Sequence, residues 1–444
     1  MSAQKSPVTP ARTRPSRRLP QFVAALIAGV LAGMVTIVGA PAAFADTQVA
    51  YVGTLSTPDG DPVEGVVLTA TQGDLVVSTA SGPDGAFRLE LPNREEFLIE
   101  VDLSTIPAGL TLRNPAQASR TAKPTLAGDN RLLLPLIAGE PGDTVAAAGG
   151  NTGERFIQLL FGGLIFGLLI ALGALGLNLI FGTTGLTNFS HGELLAMGAF
   201  TALVFNQAGL HIVIAAPIAV AFSAVVYGWG QNKFLWRPLR KRRTGIIAAM
   251  IVTIGLAIVV RNFLLLIFTG RPTGYSQYVG MPGVTIGSFN TTPKALVMAG
   301  VSIVAIVSVV LWLQKSKLGK ATRAVADNPA LASVSGINVE KVISIVWMIA
   351  AGLAALAGIY LGLTEELKFD MGQRVLLILF ASVVLGGLGT IYGAIIGALI
   401  IGVFMNLGTF IIPPEMKTAG ALLIMIFILL VRPQGILGRK ERVG

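Results

Sequence analysis

"FGTTGLTNFSHGELLAMGAF", residues 181–200, interrupts an apolar run that begins near Phe156. Thr183, Thr184, Thr187, Asn188, Ser190, His191 and Glu193 follow one another within a few positions, and the chain then turns apolar again. Inside a bilayer every backbone polar group must be satisfied by protein, so a helix break survives only where protein or water surrounds it. The stretch is therefore either a connection between two membrane helices or part of a working site.

Composition supports the membrane setting. The 444 residues are 53% hydrophobic and 13% charged, against about a quarter charged in soluble domains. Charge is uneven along the chain. Residues 1–45 carry only basic charge, residues 46–150 are net acidic, and the rest is strongly basic. Basic residues clustered beside apolar spans report cytoplasmic loops, so the high pI does not call for nucleic acid. The absence of cysteine excludes disulfides, a thiolate nucleophile and Cys-ligated zinc.

The chain divides into five parts. Residues 1–45 read as an export signal: Arg17 and Arg18 precede an apolar run from Phe22 to Val38, and Ala43-Phe44-Ala45 offers a small-x-small cleavage pattern. Retention as an anchor is the alternative. Residues 46–145 read as a small all-β, sandwich-like domain on the extracytoplasmic side. Its short Val/Thr/Leu/Phe runs are divided by Pro-Asp-Gly and Gly-Asp-Pro turns, and Phe87, Leu89 and Leu91 alternate onto one face. A linker occupies 146–155, a polytopic α-helical membrane domain 156–438, and a cytoplasmic tail 439–444.

Apolar stretches at 156–181, 192–208, 212–230, 245–269, 296–314, 341–363, 374–388, 391–411 and 418–432 predict eight to ten spans. The count stays open because the stretch from Val375 is short and the segment near Phe181–His191 is compatible with a re-entrant loop. "RPLRKRR" (237–243), "KSKLGKATR" (315–323) and "GRKER" (438–442) are expected to be cytoplasmic, which nine crossings and an exported N-terminus satisfy together.

Two glycine-rich breaks stand out: Gly182–Gly185, and Gly386-Gly387-Leu388-Gly389-Thr390. Helices interrupted near mid-membrane expose N–H and C=O groups to a solute. Gly393 and Gly397 form a GxxxG, whose simplest meaning is close helix packing. Arg261 lies inside an apolar span with Asn262 beside it. It either snorkels or pairs with Glu365 or Glu366, or it serves the permeation path. His191 and Glu193 do not make a zinc site, since no third ligand lies near, and His211 is isolated. Capping fits them better: Ser190 is expected to cap the helix starting near Gly192, with Glu193 in its first turn. The path candidates are Asn188, Ser190, His191, Glu193, Arg261, Asn262, Gly386, Gly387 and Gly389. "GKAT" (319–322) is no phosphate loop, because Gln314 stands where glycine is required and Ala321 where Ser or Thr is.

"GLTNFSHGELLAMGAF", "GKATRAVADNPALASVSGIN", "VLGGLGTIYGAIIGALIIGV" and "LLVRPQGILG" together resemble the LivH-type permeases of branched-chain amino acid ABC importers, over about residues 156–438. "DGDPVEGVVLTA" and "GPDGAFRLELP" resemble carboxypeptidase-regulatory-like and Cna-B-like modules. The permease resemblance implies a multi-pass subunit of the plasma (inner) membrane that is not itself an enzyme and binds no cofactor. It pairs with a second permease, two cytoplasmic ATPases that use ATP, and an extracytoplasmic solute-binding protein. It further implies that residues 319–338 are the ATPase-coupling loop, with Gly319, Arg323, Ala324, Asp327, Asn328, Ala332, Gly336 and Ile337 as its marked positions. Gly336 would permit the turn, and Ala324, Ala326, Ala332 and Val334 would pack on the partner. A urea or short-amide importer is the alternative within the family; a membrane-anchored sensor or adhesion protein acting through its β domain is the alternative outside it. The N-terminal signal and β module depart from the usual family member.

Overall fold

The computed structural model describes residues 49–438, apart from 58–60, 94, 113–117, 123, 125–128, 133, 135, 139–151, 269, 271, 276, 279–282, 287–288, 411–415 and 433. The export signal, most of the linker and the tail at 439–444 lie outside the described residues.

Residues 49–138 are β-rich. β1 (Val49–Thr54) pairs antiparallel with β4 (Ala86–Leu91) and parallel with β8 (Asp129–Arg131). A second sheet has the order β3-β2-β5-β7, formed by β2 (Val67–Gln72), β3 (Leu75–Ala80), β5 (Phe97–Val101) and β7 (Ser119–Ala122). β6 (Leu110–Leu112) and β9 (Leu136–Ala138) make a small third pair. The alternation in β4 has a direct consequence: Phe87, Leu89 and Leu91 point inward to meet Leu68, Ala70, Phe97 and Ile99 of the second sheet in one apolar core. Truncating a buried Phe such as Phe97 in such a core costs about 3–5 kcal/mol. Gly85, at φ +71°, closes the Pro-Asp-Gly turn that starts β4, and its N–H donates to Gly82 O at 2.8 Å.

The remainder is mostly helical, with one short antiparallel strand pair, β10 (Val284–Ile286) and β11 (Phe289–Thr291). α1 (Thr152–Thr184), α3 (Ile212–Lys241), α4 (Ile246–Phe268), α5 (Pro293–Lys315), α8 (Val339–Thr364) and α10 (Ile391–Leu407, with a further turn to Phe410) are six helices long and apolar enough to cross a membrane. α2 (His191–Gln207), α9 (Met371–Gly386) and α11 (Lys417–Val431) are shorter, and α6 (Lys317–Asp327) and α7 (Pro329–Val334) form a helical pair between α5 and α8. Each of the nine apolar stretches read from the sequence thus contains a helix. Two boundaries differ. α1 runs on to Thr184 because Thr183 and Thr184 return their hydroxyls to Leu179 O and Ile180 O, so polar side chains extend the helix without leaving donors free. α3 continues to Lys241 through wide turns over residues 223–236, where Trp236 stacks on Trp347 of α8 at 5.5 Å.

Glycine sets the helix packing. Gly163 and Gly167 of α1 lie against Val403 and Leu399, so α1 and α10 run antiparallel in backbone contact. The GxxxG of α10 faces α9: Gly393 meets Gly386 O, and Gly397 meets Ser382 O. Small residues at such crossings let van der Waals contact, rather than expulsion of water, hold helices together in lipid.

Candidate functional site: two helix breaks around one polar centre

The first break follows Gly185, whose φ of +67° turns the chain off α1. Residues 185–190 then run back alongside the helix they left. His191, the first residue of α2, donates from Nε2 to Gly173 O at 3.0 Å. Gly173 lies about 12 Å inside the end of the α1 apolar run, at 1.5 Å per residue. α2 therefore starts within the apolar thickness rather than at its edge.

The turn before α2 is held by its own side chains. Asn188, fully buried, accepts from Ser190 N at 3.1 Å and from Ser190 Oγ at 2.7 Å, while Phe189 N donates to Thr253 Oγ1 of α4 at 3.1 Å. This corrects the expected cap. Ser190 sits at the N-cap position but makes no side-chain bond to the helix, because its hydroxyl is already committed to Asn188. Glu193 occupies the first turn of α2 and is buried, and Arg261 and Asp370 are the charges whose fields reach it. Asn188 Nδ2, His191 Nδ1, Glu193 Oε2 and Asp370 Oδ1 are all buried without a hydrogen-bond partner. Buried polar atoms are normally paired, so four unpaired ones at adjoining positions mark a place for water or a polar solute.

The second break between membrane helices, 365–370, mirrors the first. The offset that carries Gly192 onto Gly372 also carries Phe189 onto Phe369, Ser190 onto Asp370 and Phe200 onto Phe380. It likewise carries Thr184, where α1 ends, onto Thr364, where α8 ends. α2 and α9 run in opposite senses, since Gly192 touches both Gly372 and Leu376 while the Phe189 ring lies 5.2 Å from that of Phe380. The two units thus form an inverted repeat, with the starts of two short helices meeting at its axis. Inverted repeats with interrupted helices place solute sites near the midplane.

Arg261 is partly exposed on α4, and Glu366 pairs with Lys368 at 3.3 Å instead of with Arg261. Asn262 is exposed and donates to Ile258 O of its own helix. Gly386, Gly387 and Gly389 belong to a separate break between α9 and α10. There Gly389 N donates to Asn178 Oδ1 at 2.7 Å, and Asn178 Nδ2 donates to Thr390 O at 2.8 Å. Gly387 (φ +112°) lies against Gly438, and Leu437 N donates to Gly386 O at 2.9 Å. Among the described residues no group of three acidic or histidine side chains is placed to hold a metal ion.

Between α5 and α8 the chain is capped at each turn. Ser316, Asn328 and Asn338 accept from Gly319 N, Leu331 N and Lys341 N, and Gly336 (φ +84°) makes the reversal. Gly319 lies against Trp312 and Leu313, so a side chain there would strike the end of α5. Of the positions expected to face a partner, some are buried within this chain and others are exposed. Ala332 packs with Val325 and Val342 in a cluster of this chain, with Ala324 and Ile337 against it. Arg323, Ala326, Asp327, Asn328 and Val334 are exposed, Val334 at 87%. Glu340 then ties α8 to α3, through Arg240 at 2.9 Å and Arg237 at 3.5 Å. Arg240 in turn donates to Asn232 at 2.8 Å.

Residues 159–429 match the family model described as "Branched-chain amino acid transport system / permease component". The chain belongs to this family. Similar proteins include the high-affinity branched-chain amino acid transport system permease protein LivH of Escherichia coli (strain K12), 31% identical over 304 residues, covering 64% of this chain and 96% of LivH. BraD of Pseudomonas aeruginosa, described by the same transport system, is 29% identical over 310 residues, covering 65% and 97%. The ribose import permease protein RbsC of Escherichia coli is 32% identical over 250 residues, covering 54% and 73%. No solved structure matches.

Within this permease family chain, the β-rich residues 49–138 lie before the matched region. The matched region holds both breaks of the inverted repeat and the capped pair α6–α7. Sequence reading missed Asn178, Gly372, Asp370 and Arg374. Asn178 looks like a lone polar residue in an apolar run, and nothing local reveals its distant partners. The others were legible in principle, since "FSHG" and "FDMG" share their Phe and Gly at the repeat's offset.

Proposed function

We propose that this chain is the membrane-spanning permease subunit of an ATP-driven importer for branched-chain or related amino acids, working by alternating access. The observation that supports this reading is the meeting of two interrupted helices at Gly192 and Gly372, beside buried, unpaired polar atoms. The subunit works with a second permease, two cytoplasmic ATPases and an extracytoplasmic solute-binding protein, and binds no nucleotide itself. The N-terminal β domain is extracytoplasmic. The basic segments at 237–243, 315–323 and 438–442 all fall on the opposite face if the two units 185–207 and 365–386 each count as a crossing. Asn188, Ser190, His191, Glu193 and Arg261 line or support the path.

In this mechanism the solute enters from its binding protein and rests by the α2 and α9 starts, where unsatisfied N–H and C=O groups meet it. ATPase closure is transmitted through the exposed side of α6–α7, around Arg323, Asp327, Asn328 and Gly336. The Glu340–Arg240 tie passes that movement from α8 to α3. Uptake of labelled leucine and of labelled urea in a deletion strain, restored by the cloned chain with its partners, tests the assignment. Restored leucine uptake is expected; restored urea uptake alone transfers the reading to a urea importer, and neither rejects transport of both. Co-purification with an ATPase that persists after Gly336→Pro would reject the coupling role.

A further inference from the structure

Three residues at the start of α9 do not fit a lipid-facing helix. Gln373 and Arg374 are exposed on its surface, and the Arg374 side chain is 61% accessible. Their depth follows from the packing. Leu379 of α9 lies against Gly173 of α1, with the two helices running the same way, since further along Gly389 reaches Asn178. Arg374 precedes Leu379 by five residues, about 7.5 Å. That places it about 20 Å from one end of the α1 apolar run and about 18 Å from the other. A guanidinium facing hydrocarbon at that depth is expensive, and intramembrane charges face a bundle interior or a water-filled cavity. The same turn adjoins the buried, unpaired atoms Asn188 Nδ2, His191 Nδ1 and Glu193 Oε2 across the Gly192–Gly372 contact.

We propose that the Asp370–Gln373–Arg374 face of α9 lines the aqueous solute path, and that Arg374 receives the carboxylate of the solute. This rests on the transport reading above. Asp370 Oδ2 accepts from Arg374 Nε at 2.8 Å and from Arg374 NH2 at 2.6 Å, which fixes the guanidinium and leaves its other donors directed outward. A planar donor fork held in this way suits a carboxylate. Unpaired buried polar atoms behind the face favour water and solute over a packed protein partner as its occupant.

The chain lacks cysteine, so one introduced thiol reports cleanly. Gln373→Cys, in membranes of cells expressing the whole complex, is treated with a charged, membrane-impermeant methanethiosulfonate. Val304→Cys, on the exposed apolar face of α5, is the reference. Labelling of Gln373→Cys but not Val304→Cys, slowed by leucine, is expected. A thiol at 373 that reacts only after denaturation means that lipid or a partner covers this face, and overturns the proposal. Labelling unaffected by leucine overturns the solute contact. In uptake, Arg374→Gln is expected to raise the half-saturating leucine concentration about ten- to hundredfold, as loss of a hydrogen bond to a charged group does. Arg374→Lys should recover part of this, and an unchanged value for Arg374→Gln overturns the carboxylate role. Failure of the unmodified complex to take up leucine rejects the transport reading, while the labelling still decides whether the face meets water.

Discussion

Gly192 and Gly372 stand back to back: a Cβ on Gly192 would fall 2.2 Å from Gly372 O, and one on Gly372 would fall 2.3 Å from Gly192 O. The reciprocity is what a two-fold relation between α2 and α9 requires. Because the obstructing atoms are backbone, no side-chain rotamer relieves the clash. Gly192→Ala and Gly372→Ala should each lower stability by about 3 kcal/mol or more. Thermal unfolding of the purified chain checks this; an unchanged Tm for either would show that the helices do not meet there.

Asn178 staples the α9–α10 break to α1 through two hydrogen bonds to backbone. Asn178→Ala leaves the part-buried Gly389 N–H without its partner and removes one of the two bonds to Thr390 O, which still accepts from Ala394 N, at a cost of about 1–3 kcal/mol in all. Asn178→Asp keeps the acceptor for Gly389 N but sets a carboxylate against Thr390 O, and should be the worse of the two. The ranking of their unfolding temperatures decides the matter.

Glu340 joins α8 to the C-terminal end of α3 at a partly exposed site. Pairs in that setting contribute about 1 kcal/mol or less to stability. Glu340→Gln should therefore leave Tm nearly unchanged while lowering ATP-driven uptake. Equal loss of both would assign the pair a purely structural part.

In the β-rich region, Asp102 accepts from Ser104 Oγ at 2.6 Å and from Ser104 N at 3.0 Å, and these bonds hold its carboxyl below the ordinary value of 3.8. A carboxyl depressed in the folded state adds stability above its unfolded pKa, and that stability is lost as pH falls through the folded value. The region should accordingly resist mild acid and weaken below about pH 4, and Asp102→Asn should flatten that dependence. Acid titration followed by tyrosine fluorescence of the full chain is the measurement, and parallel curves for the two proteins would rule the cap out.

Much of the fold was legible because its causes are local. Alternation in 86–91 and the Pro-Asp-Gly turn identify a strand with Phe87, Leu89 and Leu91 inward, and apolar length identifies the membrane helices. The polar run at 183–193 was readable as a break. Its contents were not fully so: Ser190 gave its hydroxyl to Asn188 instead of to the helix, and His191 reached Gly173, eighteen residues back. The alanines of α6–α7 were legible as an apolar face, and Ala332 packs on this chain's own Val342.

Helical and strand segments, the glycine breaks between them and the family resemblance were readable from the chain alone, since periodicity and motif order are properties of neighbouring positions. It took the packed helices to show that the breaks at 185–190 and 365–370 are two halves of an inverted repeat, that Asn178 serves the break between α9 and α10, and that Arg374 stands at mid-depth. The reason is physical. Depth in the bilayer and the pairing of buried polar atoms depend on which helix lies alongside which, and segments far apart in the chain settle that together.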